Sequence, residues 1–271
     1  MILKMAFRNV FRQKRRSLLT ALSMFGGFVL AAFFIGFADG SYNHIIDAFT
    51  RTRLGHIQIH QHEYLDTPSL YRTIDHFDRV AQVLDATDDV ESWTPRIYSA
   101  GLAAADEKSA GVRLIGIHPQ REHRTTRFRN RIVEGGGFSS IAAKEAVIGK
   151  GLARLLHTGV GGDIVIISQA ADGSIANERY RVMGILDSGN EVEDRSAFYL
   201  PLDEARDLLV MGKRVHEIAL VVDKLGRVER ITRELRRRID SPDLQVAPWQ
   251  VFAESFYRAM KADKEGMWIM L

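Results

Sequence analysis

Three histidines within one short run, His56, His60 and His62, are the side chains of this sequence best suited to hold a metal ion. Leu54 to His60 alternates apolar and polar residues. A strand of period two would put the histidines on one face with Gln58 among them, and Ile57 and Ile59 on the other. Neutral imidazoles are ligands for zinc. Their i, i+4, i+6 spacing nevertheless covers about 20 Å of extended strand, too far for one ion unless the strand bends. The competing expectation is a polar strand face in contact with solvent.

Other catalytic patterns are missing from the sequence. Gly149-Lys150-Gly151 resembles the end of a phosphate loop, but Gly151 stands where the magnesium-binding Ser or Thr belongs and the earlier glycine is absent. The glycines fit a strand-to-helix turn instead. There is no Gly-x-Ser-x-Gly elbow and no His-Glu-x-x-His pair. The absence of cysteine removes disulfides, thiolate metal sites and thiol nucleophiles. No catalytic residue and no cofactor is expected. Arg121, Arg124, Arg127, Arg129 and Arg131, with His123, form a basic cluster that only Glu122 opposes. Nucleic acid would call for interleaved aromatics, and Phe128 is the one available. That leaves a solvated helix and loop, or contact with an acidic partner surface or lipid headgroups.

The elements that would position these groups begin with a membrane anchor. Leu18 to Ala38 carries no charge, and as a helix it reaches about 31 Å, the thickness of a hydrocarbon core. Its length and its ending in Phe33-Phe34-Ile35-Gly36-Phe37 argue against a cleaved signal. Lys4, Arg8, Arg12, Lys14, Arg15 and Arg16 precede it with no acid among them, so residues 1–17 form a basic cytoplasmic segment and the rest lies outside. Ser23, Gly27 and Ala31 fall on one face of this span, with Ala32 and Gly36 beside them. Such a stripe lets a second helix approach closely in lipid, although small residues are frequent in membrane helices anyway. Net charge is +3 over 271 residues, so beyond the basic N-terminus the chain is nearly neutral and carries no field suited to nucleic acid. After the amphipathic stretch Val251 to Lys264, Trp268 heads a short apolar run, expected either as the start of a second span or as a short tail.

Two regions outside the anchor share an order of elements. Leu54 to His60 is followed by a helical pattern at Phe77, Val80, Ala81 and Leu84 and a strand near Val90 to Ile97. His216 to Val222 is followed by Val228, Ile231, Leu235 and Ile239 at helical spacing and a strand at Leu244 to Val246. Two β-α-β units of this kind can pair into a split, ferredoxin-like sheet. Residues 41–110 and 205–250 would make that α/β subdomain. Residues 111–204 would be a mainly β insert of short Val- and Ile-rich strands separated by glycine turns, with one short helix at Lys150 to Leu156. Residues 251–271 would return to the membrane. The expected fold class is α+β, with an N-terminal transmembrane helix.

In order along the chain, RNVFRQKRRSLLTALSMFGGFVLAAFFIGFADG, GHIQIHQHEYLDTP, EAVIGKGLARLLHTGVGGDIVIIS, RYRVMGILDSG and AFYLPLDEARDLL resemble the permease subunits of FtsX-type ABC exporters. These include the macrolide exporter MacB and, more closely, the lipoprotein-releasing (LolC/LolE-like) permeases. The resemblance implies a periplasmic core divided into a porter subdomain and a β-rich sabre insert. It implies a bacterial inner-membrane protein with four spans, of which this sequence would hold the first and the start of the second. The partners implied are a cytoplasmic ABC ATPase subunit, a second permease copy or paralogue, and a periplasmic lipoprotein or adaptor. Function would then be mechanical coupling of ATP hydrolysis, performed by the partner, to substrate release or efflux. The alternative is a single-pass, membrane-anchored extracytoplasmic sensor or binding module.

Overall fold

A computed structural model describes the backbone of residues 14–270. Most of the basic N-terminal segment, the side chains of Asp39 and of residues 267–270, and Leu271 lie outside the described residues. The described residues form two compact units, one of residues 14–46 with 258–270 and one of residues 47–257.

Helix α1 spans Lys14–Phe49, well past the uncharged run. Among the described residues it is the helix long and apolar enough to cross a membrane. Phe25, Phe28, Phe33 and Phe37 are exposed around it, as a lipid-facing surface requires. Ser23 donates to the Leu19 carbonyl (2.9 Å) and Thr20 to that of Arg16 (3.0 Å), so both hydroxyls are satisfied within the helix.

In the larger unit a π-helical turn, Thr50–Leu54, leads into β1 (Ile57–Gln61). There follow α2 (Phe77–Asp85), β2 (Val90–Ala105), β3 (Lys108–Ile117), α3 (Pro119–Thr126), β4 (Ile132–Gly135), β5 (Glu145–Gly149) and α4 (Lys150–Leu156). Next come β6 (Asp163–Gln169), β7 (Ile175–Leu186), α5 (Glu191–Asp194), β8 (Ala197–Pro201) and α6 (Leu202–Leu208). The chain ends with β9 (Glu217–Val222), α7 (Val228–Ile239), β10 (Leu244–Pro248), α8 (Trp249–Phe252) and α9 (Glu254–Met270).

The order β10-β1-β9-β2, antiparallel throughout, is the 4-1-3-2 arrangement of two interleaved β-α-β units. Val80 and Leu84 of α2, and Val228, Ile231, Leu235 and Ile239 of α7, bury the apolar stripes their spacing predicts. The same sheet continues through β3, β8, β5, β7 and β4. A second core, with Tyr180, Phe198, Leu152 and Ile166 at its centre, fills the β-rich part.

The two parts share a strand. Within β2, residues from Val90 to Arg96 pair with β9, while Gly101 to Ala104 pair with β6. The boundary expected at residue 110/111 therefore falls inside β3, and that at 204/205 inside α6. Gly149 is needed for contact more than for flexibility: a Cβ there would lie 2.2 Å from the Asp194 carbonyl oxygen, so α5 packs directly on the strand-to-helix turn.

The chain enters and leaves this unit at one place. Phe49 and Phe256 stack with ring centroids 4.0 Å apart, and Trp249 meets Phe256 and Tyr257 edge-on.

Candidate functional site

His56, His60 and His62 do not face one another as ligands of one ion would, nor do they form the solvated strand face expected of them. His56 and His60 are buried and only His62 is exposed, so the polar face of β1 is covered and not solvated. The cause is local: the turn before β1 and the loop after it fold over that face. His56 Nε2 lies 3.2 Å from Asp47 and its Nδ1 accepts the Val222 N–H (3.1 Å). Burial, followed by the Arg51 charge, holds its pKa below the usual imidazole range, so it is neutral at pH 7. Gln58 donates to the Leu54 carbonyl (2.8 Å), and His60 Nε2 lies 3.2 Å from Glu217. Among the described residues no group of three His, Asp or Glu side chains is placed to hold an ion.

What β1 and its neighbours build is a buried ionic network around Arg96. Arg96 is 5 % exposed, on the part of β2 that faces β9. Its Nε and Nη2 bond Glu122 (3.1 and 2.7 Å), its Nη1 bonds Glu217 (2.7 Å), and Nη2 also donates to the Arg53 carbonyl (2.8 Å). Glu122 further accepts from Thr94 (3.0 Å) and Thr126 (2.8 Å); Glu217 accepts from Tyr98 (3.1 Å). Each carboxylate thus has the additional donors that a buried charge needs. Burial pushes Glu217 upward, but the Arg96 charge and then the His60 hydrogen bond overrule it and hold the carboxyl at about 2.

A ring stack joins the network to the loop after β1. His60, Tyr64 and His216 lie in sequence with centroids 5.3 and 5.6 Å apart. His216 Nδ1 accepts the Tyr98 N–H (2.9 Å), which puts its proton on Nε2, 3.1 Å from the Leu70 carbonyl.

The basic cluster divides in the same way. Glu122 does not oppose its arginines at the surface, because α3 turns it inward to Arg96. Arg121 lies over the Trp93 ring at 3.8 Å, while Arg124, Arg127 and Arg129 are exposed. Lys150 pairs with Asp187 at 3.3 Å. The span stripe is open: a Cβ at Gly27 or Gly36 meets nothing within 4 Å.

Arg96 and Glu217 were invisible as partners in the sequence, being 121 residues apart. The signal present was a charge inside each predicted strand, followed in both by an isoleucine.

Comparison with known proteins agrees with the topology. Residues 17–238 match the family of MacB-like periplasmic core domains. The periplasmic region of MacB from Actinobacillus actinomycetemcomitans superposes with a TM-score of 0.54 at 14% identity, over 74% of this chain and 92% of that one. The extracellular domain of the noncanonic ABC-type transporter YknZ from Gram-positive bacteria gives 0.50 at 15% identity, over 70% and 98%. At such identities the likeness is one of fold. No curated protein matches the sequence. The family match, spanning most of the chain and carried by the 4-1-3-2 sheet with its β-rich extension, makes this chain a member of the MacB-like periplasmic core domain family, a component of ABC-type transporter permeases.

Proposed function

We propose that the protein is a permease subunit of a bacterial inner-membrane ABC exporter, its N-terminus cytoplasmic and its core periplasmic. It relays ATP hydrolysis in a cytoplasmic ATPase partner to substrate release or efflux, a lipoprotein being the candidate that the sequence motifs favour. Residues 47–54 carry this reading. Arg51 forks Glu91 with two bonds of 2.8 and 2.9 Å, Asp47 faces both Arg51 and His56, and the Arg53 carbonyl is held by Arg96. A displacement of this segment is delivered to β2 through charge-assisted bonds and not through a slack linker. The porter and sabre parts then receive it through the strand they share.

The test is Gly27→Leu in the full-length gene. A Cβ at this position meets nothing within 4 Å, so a loss is expected to report on a neighbouring helix. Capture of the ATPase and its stimulated turnover should fall together, and by more than in Lys150→Ala, His60→Ala or Arg127→Ala. Intact assembly in Gly27→Leu with turnover abolished by Lys150→Ala or His60→Ala would refute the relay. Failure of the wild-type chain to capture any ATPase would favour the single-pass binding module.

A further inference from the structure

A cavity of about 380 Å³ opens between the π-helical turn, β2, β3 and the segment from Asn190 to Tyr199. Four guanidinium groups line it, from Arg53, Arg96, Arg113 and Arg131, against the carboxylates of Glu122 and Glu193. Arg96 and Glu122 neutralise each other in the wall, with Glu217 behind them. Arg53, Arg113 and Arg131 remain, opposed in the lining by Glu193 alone, which contacts Arg53 and lies 3.6 Å from Arg113. Asp194 is close enough to favour the charged form of Arg53, but its carboxylate accepts the Ser188 N–H at 3.0 and 3.3 Å.

The excess of positive charge is felt inside the cavity. Burial, then Arg131, then Arg113 lower the pKa of Arg53, with Tyr199 and Asp194 opposing. The Nε of Arg131 is buried and has no hydrogen-bond partner among the described residues. Like charges gathered at low dielectric are costly unless an anion joins them. Guanidinium forks match the oxygens of phosphate, which offers acceptors enough for Arg53, Arg113 and the unpartnered Nε of Arg131 together, where a carboxylate has only two oxygens.

We propose that this cavity binds the phosphate group of a phosphomonoester through Arg53, Arg113 and Arg131. The phosphate could come from a soluble metabolite or from the headgroup of phosphatidic acid, and two probes separate these sources. The full-length chain in neutral detergent at low ionic strength is titrated calorimetrically with glycerol 3-phosphate and, separately, with short-chain phosphatidic acid. At least one should bind saturably with Kd below about 1 mM. Saturation by glycerol 3-phosphate makes soluble phosphate sufficient, and saturation by the lipid alone assigns the headgroup. Arg113→Gln carries the test, because its side chain is 51% exposed and its partner Glu193 keeps its contact with Arg53. It should weaken binding at least about tenfold, as loss of one charge-assisted contact does, with the ligand-free melting temperature unchanged. Arg181→Gln, exposed on β7 and outside the cavity, should bind as the parent does. Absence of saturable binding by both probes, unchanged affinity in Arg113→Gln, or an equal loss in Arg181→Gln would overturn the proposal.

Discussion

Replacing Arg96 by Met should reverse the pH dependence of the stability of this domain. In the parent, the Glu217 carboxyl sits at about 2 when folded against 4.5 in the unfolded chain. At about 1.4 kcal/mol per unit this is about 3 kcal/mol of stability. Because the folded value is the lower one, that contribution is complete above pH 4.5 and is lost as the pH falls toward 2. Arg96→Met removes the charge bonding both Glu217 and Glu122 and leaves two buried carboxylates with neutral donors only. Breaking a buried pair from one side costs about 3–5 kcal/mol, a large part of the ~5–15 kcal/mol that holds a domain together. With the counter-charge gone, burial dominates and the carboxyl pKa rises above its unfolded value. The variant should therefore gain stability on acidification from pH 7 to 5, where the parent loses some because its buried, neutral His56 and His216 resist protonation. Urea unfolding of the fragment Asp47–Tyr257, followed through Trp93 and Trp249, measures both. A triple replacement of Arg96, Glu122 and Glu217 by Met should recover most of the loss at pH 7. The reasoning fails if Arg96→Met lies within about 1 kcal/mol of the parent at pH 7, or if acid weakens it as it weakens the parent.

The fragment Asp47–Tyr257 should unfold in one cooperative step, whereas Ser41–Gln250 should be less stable, because it deletes Phe256 and Tyr257 from the cluster on Trp249; equal urea midpoints would contradict this. Gly149→Ala should cost about 2 kcal/mol or more, since its methyl group would strike the Asp194 backbone, while Gly111→Ala, with nothing within 4 Å, should be neutral or stabilising in thermal melts. Periplasm-dependent reporter activity is expected from a fusion after residue 100, given six positive charges before the span; activity in the cytoplasm would invert the topology.

Periodicity made most of the fold legible. Val228, Ile231, Leu235 and Ile239 marked α7, Gly149 marked the β5–α4 junction, and the two β-α-β units followed from order alone. Period two could not say whether a polar strand face meets water. His56, Gln58 and His60 look like a solvated face, and their burial depends on Asp47, Tyr64 and Glu217, which only tertiary contact brings near. The same limit hid the network: Glu122 sits among five arginines in sequence, and the side of α3 on which Thr125 and Thr126 are buried carries it away from them to Arg96. The strand expected near Val90 to Ile97 runs on to Ala105, and at Gly101 the missing side chain permits the Ile167 carbonyl to approach to 2.8 Å from where a Cβ would stand.

The stacking of Phe49 on Phe256 has a bearing on how such proteins diversify. Because the chain departs from the core where it arrived, the whole folded body occupies a single junction in the polypeptide. It can be exchanged at that junction for a body of another size. Holding the two ends of the core together also spares the chain most of the entropy that closing so long a loop would otherwise demand. The stretch between Phe49 and Phe256 is thus the natural unit for exchanging one such core for another.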